Sequence, residues 1–134
     1  LMQQKKVMFI CVGNSCRSQM AEGFARHLGK DRVEAMSAGT VPAEMVAPKA
    51  IEVMAEKGID ISMQMPKMLD LELALSCDRV ITMGCDAKDM CPAPLVKRLG
   101  EDWGLEDPMG KGIEKYRKVR DLIEKKVQHL LETL

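Results

Sequence analysis

The sequence predicts an α/β fold in which a parallel sheet is covered by helices on both faces. Three observations carry that expectation. Short apolar runs recur at Val7–Ile10, within 33–40 and at 79–83, each too brief to be a helix. Segments with apolar residues at helical spacing lie between and after them. Strands of this apolar kind, alternating with helices, belong to a parallel sheet buried on both sides.

Taken in order, Val7-Met8-Phe9-Ile10 leads to Cys11 and a short glycine-containing loop. After Arg17, apolar residues recur at Met20, Ala21, Phe24, Ala25 and Leu28, which predicts a helix with Gly29 as its cap. Residues 33–40 predict a second strand ending in a glycine turn. Pro48 opens a helix carrying Ala50, Ile51, Met54 and Ala55, which Gly58 closes; proline inside the start and glycine past the end is the usual asymmetry. A short extended link spans 59–62, a loop follows to Pro66, and residues 68–75 predict a short helix. Residues 79–83 form the third strand and 97–103 a fourth, less apolar one. From Ile113 to Leu134 one stripe holds Tyr116, Val119, Ile123, Val127, Leu130 and Leu134, a long amphipathic helix.

A chain of 134 residues, 46% hydrophobic and 30% charged, suits one domain over 1–134 with a single core. Twenty basic and twenty acidic side chains cancel, so no global field draws the protein to nucleic acid or to an anionic membrane. No apolar run approaches the ~20 residues of a membrane span. Five cysteines is an odd count without the density of a disulfide scaffold. With no signal-peptide-like apolar segment ahead of Val7, a reducing cytoplasm is expected.

The chemistry concentrates between Cys11 and Arg17. Consecutive backbone N–H groups curling into a helix N-terminus make a concave site for a tetrahedral oxyanion. Val12, Gly13, Asn14, Ser15, Cys16, Arg17 and Ser18 would line it. Arg17 in the first helical turn grips two oxygens with its planar fork. At the floor, Cys11 sits among donors that favour thiolate over thiol, whereas an ordinary cysteine, pKa ~8.5, is mostly protonated at neutrality. The stretch Cys-Val-Gly-Asn-Ser-Cys-Arg-Ser-Gln-Met-Ala-Glu-Gly resembles the phosphate-binding loop of the low-molecular-weight protein tyrosine phosphatase superfamily. It is most similar to the thioredoxin-coupled arsenate reductase branch. That resemblance implies a flavodoxin-like three-layer sandwich with a four-stranded parallel sheet.

It also implies a relay of three thiols: Cys11 attacks arsenate, Cys85 attacks Cys11 and releases arsenite, and Cys91 resolves that disulfide for re-reduction by thioredoxin. Such successive exchange requires each thiolate to reach the preceding sulfur. Were 85–91 helical, the two Cα atoms would stand ~9 Å apart, beyond the roughly 7 Å a disulfide tolerates. The segment must therefore unwind or loop, with Gly84 as hinge and Pro92 as stop. Packing beneath a loop is the plain alternative for this pair. A metal site fits less well, because the five-residue gap lacks a Cys-x2-Cys knuckle. No metal or cofactor is assigned.

Asp107-Pro108 resembles the superfamily's Asp-Pro loop, which makes Asp107 the general acid, with partial burial raising its pKa. Asp-Pro is also a common turn initiator. Asp102 and Glu106 are expected at the surface, Cys77 in the core, and the twelve methionines as flexible packing. Ser18 is placed to donate to Cys11 and Asn14 to pin the loop; Cys16 is either passive or a disulfide partner for Cys11. The resemblance implies arsenate as substrate, with phosphate or sulfate competing. A phosphotyrosine phosphatase using the same loop is the second hypothesis. Only Trp103 is free to flank the mouth of a ring-binding site, so a small inorganic oxyanion fits better. A thiol trap for trivalent arsenic, the non-enzyme hypothesis, leaves Arg17 and Asp107 without a purpose.

Overall fold

The structure, a computed structural model, describes residues 3–84 and 101–134. Among the described residues four strands, β1 (Lys5–Cys11), β2 (Val33–Gly39), β3 (Arg79–Thr82) and β4 (Glu101–Asp102), form one sheet in the order β2-β1-β3-β4. Every pairing is parallel, as expected for a flavodoxin-like α/β fold. Among the described residues four α-helices accompany it: α1 (Arg17–Gly29), α2 (Pro48–Ala55), α3 (Leu71–Leu75) and α4 (Ile113–Thr133). Among the described residues no helix is long and apolar enough to cross a membrane.

The central position of β1 explains its sequence. Its register runs from Lys5 opposite Val33 to Cys11 opposite Gly39 on one side, and from Val7 opposite Arg79 to Ile10 opposite Thr82 on the other. Paired along both edges, the strand from Val7 to Cys11 is buried. Side chains of a strand alternate between the two faces. Val7, Phe9 and Cys11 accordingly enter one core with α1, α2 and α4, while Met8 and Ile10 enter a second with Ala74, Cys77 and Val80. The two faces thus hold separate apolar clusters, and Cys77 is core as expected.

Several boundaries differ from the sequence expectation. Gly29 does not cap α1; it is the last helical residue, at φ −84°, and Lys30 takes the left-handed turn at φ 47°. Position 29 instead needs a small residue, because a Cβ there would stand 3.1 Å from Val33 Cβ and 3.2 Å from Leu131 Cδ2. The short helix begins at Leu71 rather than at Met68. Asp70 caps it by accepting from the Leu73 amide, and Met68 makes a bridge to Gly39 instead. Strand three stops at Thr82, and of the fourth only Glu101 and Asp102 pair within the described residues. The stripe of α4 is buried from Tyr116 to Leu130, and Arg120 joins it. Its guanidinium donates to Val53 O and Glu56, so a cation stands on the stripe that helical spacing would fill with apolar residues.

Gly39 marks where β2 passes behind the loop that follows β1. A Cβ there would lie 2.6 Å from Val12 O and 3.0 Å from Asn14 N, both backbone atoms that cannot swing aside. Gly39→Ala is expected to cost about 1–3 kcal/mol of stability, the range for forced overpacking, read by urea denaturation, and to deform the loop.

Candidate active site

The turn between β1 and α1 is built by where its carbonyls go. Val12 O accepts from Val41 N at 2.9 Å, Gly13 O from Ala43 N at 2.9 Å and Ser15 O from Ala47 N at 3.0 Å. With its carbonyls drawn toward the 41–47 segment, the loop is left to present N–H groups on its concave side. Asn14 sits at φ 50°, a left-handed turn that asparagine tolerates better than most residues. Lys67 N donates to Asn14 Oδ1 at 2.9 Å and Gln19 Nε2 to Asn14 O at 3.0 Å, so both its oxygens are held.

The Cys11 sulfur, 3% exposed, receives what this clamp positions. Asn14 N donates to it at 3.2 Å, and Ser18 Oγ lies 2.9 Å away. Because Ser18 Oγ accepts from Asn14 Nδ2 at 2.7 Å, its own hydrogen is free to point at the sulfur. Two donors thus converge on the Cys11 sulfur.

Opposite stands Arg17, the first residue of α1 and only 4% exposed. Nη1 donates to Leu105 O at 2.9 Å, and Nη2 lies 3.7 Å from Asp107 Oδ2. Its Nε is buried with no hydrogen-bond partner among the described residues. A buried orphaned donor is costly, and an oxyanion in the adjoining pocket would satisfy it. Gly84 leaves the guanidinium its room: a Cβ there would stand 2.6 Å from Arg17 Nη1 and 3.0 Å from Leu105 O. Gly84, expected from sequence to serve as a hinge, is thus seen to supply clearance for Arg17.

Cys11, Gly13, Ser15, Cys16, Arg17 and Asp107 line a small pocket of about 30 Å³, with Met109 beside them. Asp107 is not partly buried as expected; its side chain is 52% exposed. Its Oδ1 accepts from Met109 N at 3.0 Å, so the turn-initiating role of Asp-Pro and a place at the pocket coexist. Burial, opposed in part by the Tyr116 hydroxyl at 3.4 Å, pushes the Cys16 thiol up to about 11. Cys16 thus remains a thiol at neutral pH, beside Cys11 in the same pocket. Burial likewise raises Tyr116 above the ordinary phenol range.

A wider apolar groove of about 410 Å³ adjoins this pocket, sharing Ser15 and Met109 with it and bounded by Met45, Pro48 and Tyr116. Trp103 is not at the mouth. It is 6% exposed, packed on Phe9 with ring centroids 5.6 Å apart. The methionines are not all packing either: Met45, Met63, Met65, Met68 and Met109 are exposed. Glu106 is at the surface as expected, and the exposed Asp102 also accepts from Thr82 Oγ1 and Gly104 N. Cys85 and Cys91 lie outside the described residues. Among those described, no cluster of His, Cys, Asp and Glu could hold a metal ion. Sequence reasoning missed Leu105, which acts through its carbonyl and leaves no signal, and Tyr116, whose stripe position hid where its hydroxyl ends.

The profile of the family described as low molecular weight phosphotyrosine protein phosphatase matches residues 6–134. An arsenate reductase of Staphylococcus haemolyticus is 44% identical over 135 residues, covering 99% of each chain. One from Staphylococcus xylosus is 44% identical, covering 96% of this chain and 97% of its own. Among solved structures, an arsenate reductase in a phosphate-binding state superposes with TM-score 0.87 at 41% identity, covering 97% of this chain and 98% of that one. An arginine phosphatase from Geobacillus stearothermophilus also reaches 0.87, at 32% identity over 96% of this chain and 92% of its own.

Proposed function

The chain belongs to the low molecular weight phosphotyrosine protein phosphatase family, and on that premise we propose that it reduces arsenate to arsenite, as its similarity to arsenate reductases over nearly the whole chain indicates. The observation that carries the reading is the pairing across the small pocket. A sulfur held by the Ser18 hydroxyl and the Asn14 amide faces a buried guanidinium with an unsatisfied Nε.

In the proposed sequence the loop amides and Arg17 hold three oxygens of arsenate, placing arsenic against Cys11 Sγ. The thiolate forms an S–As bond, and the opposite oxygen leaves as water on a proton from Asp107. Cys85 then attacks Cys11 Sγ. A disulfide forms, the S–As bond breaks, and its electron pair stays on arsenic, which departs as arsenite. Cys91 attacks Cys85 in turn, freeing Cys11 and leaving a Cys85–Cys91 disulfide for the dithiol of thioredoxin. The parts of Cys85, Cys91 and thioredoxin rest on the sequence and its resemblance. A reducing compartment, the cytoplasm, is where such thiols would work.

The adjoining groove favours a second activity on the same loop. A phosphate monoester could seat its stem against Met45, Met109 and Tyr116 while Cys11 takes the phosphoryl group.

The test combines arsenate, thioredoxin, its reductase and NADPH. Arsenite release and NADPH consumption are expected in equal amounts, inhibited competitively by phosphate or sulfate and lost in Cys85→Ser. If p-nitrophenyl phosphate hydrolysis is fast and arsenite never appears, the phosphatase activity is the function. Asp107→Asn is expected to lower kcat roughly 10²-fold with little change in KM, the scale for losing a general acid; steady-state kinetics of either reaction reads it.

A further inference from the structure

We propose that Lys67 is a positioning residue for the nucleophile. Its ammonium supplies counter-charge that keeps the segment behind the oxyanion loop, and through Asn14 the donors on Cys11, in place. The proposal deepens the reading of Cys11 as nucleophile and rests on it.

Lys67 is fastened at both backbone ends. Its N–H holds Asn14 Oδ1, and its carbonyl accepts from Gly39 N at 2.8 Å. Asn14 in turn supplies one donor to Cys11 directly and orients the other, Ser18. A drift of Lys67 is therefore a drift of both hydrogen bonds on the sulfur.

Beyond those backbone bonds, the Lys67 side chain, 47% exposed, reaches toward a buried charge. Glu22, 2% exposed, accepts from Ser37 Oγ at 2.6 Å on Oε1 and pairs with Arg26 at 2.9 Å through Oε2. A carboxylate out of water needs compensation on both oxygens. Lys67 Nζ lies 3.9 Å from Oε1 and donates to Met65 O at 2.7 Å. That same carbonyl accepts from Gln19 Nε2, the group that holds Asn14 O. One ammonium thus joins Glu22 on α1 to the two contacts that fix Asn14. An exposed ion pair at this distance would contribute little; here one partner is buried and the other is strapped to the loop.

The test is alkylation of Cys11 by iodoacetamide, counted as the part that inorganic phosphate protects. The groups facing that sulfur are Cys16 in the same loop, Arg17 on α1 and Asp107 ahead of α4, and all are kept intact. At pH 6.5 Lys67→Met is expected to react roughly five to ten times more slowly than wild type, since tenfold corresponds to one unit of differential stabilisation of an ionised group. The rates should meet near pH 10, where an ordinary thiol ionises unaided, and Lys67→Arg should behave as wild type. In Glu22→Gln, with no buried charge to balance, the same change should cost less than about twofold. Equal rates for Lys67→Met and wild type at pH 6.5 would overturn the proposal, as would a deficit persisting undiminished at pH 10. Should wild type show no phosphate-protectable alkylation, the nucleophile reading fails first, a separate outcome.

Discussion

Cys11→Ser is expected to lose arsenate reduction altogether, at least about a thousandfold below wild type, while retaining the fold and phosphate binding. A nucleophile that acts together with its activating groups carries nearly the whole rate when removed. Serine is smaller than cysteine, its oxygen can take the same two donors from Asn14 and Ser18, and the residue is buried, so packing changes little. Its hydroxyl, however, stays protonated at neutral pH and cannot form the disulfide that moves two electrons. Arsenite release under the thioredoxin-linked assay measures the loss. Phosphate binding by calorimetry and the thermal midpoint establish that the pocket and fold survive. Turnover in Cys11→Ser within tenfold of wild type would remove the thiolate from the mechanism.

The second large effect is expected at Arg17. Arg17→Lys keeps the charge but loses the fork, and lysine's ammonium cannot donate to Leu105 O and to two oxyanion oxygens in one plane. A loss of roughly 10²- to 10³-fold in kcat/KM is expected, the scale for removing a preorganised oxyanion donor. The ammonium would also sit in a space shaped by Gly84 for a flat group. Because the fork holds the bound anion and holds the transition state more tightly still, KM should rise as well as kcat fall. Phosphate should weaken as a competitive inhibitor in the same variant. An unchanged inhibition constant would mean that Arg17 does not touch the anion.

The sequence made the β1–loop–α1 unit legible because each part obeys a local rule. Val7–Ile10 is too short and apolar for anything but a buried strand, and the residues after Arg17 keep helical spacing. Cys11, Ser18 and Asn14 stand together as their order suggests. What escaped depends on chain far away. The loop's carbonyls are taken by residues 41–47, which carry no motif. Trp103 looks like a free ring in sequence, yet β4 lies beside β3 and carries it onto Phe9. Asp107 is exposed because Oδ1 closes its own turn at Met109, which a dipeptide pattern cannot reveal. The exposed methionines among the described residues follow the loops that hold them, whereas composition alone points to packing.

Trp103 is the chain's single tryptophan, and it is sealed against β1 with its indole N–H given to Glu101. Its emission therefore comes from one dry site tied to the sheet and remote from water. Denaturation should shift that light to longer wavelength, and a quencher such as acrylamide should reach the ring only after the sheet opens. The protein carries its own dye, one that reports on whether β4 is docked.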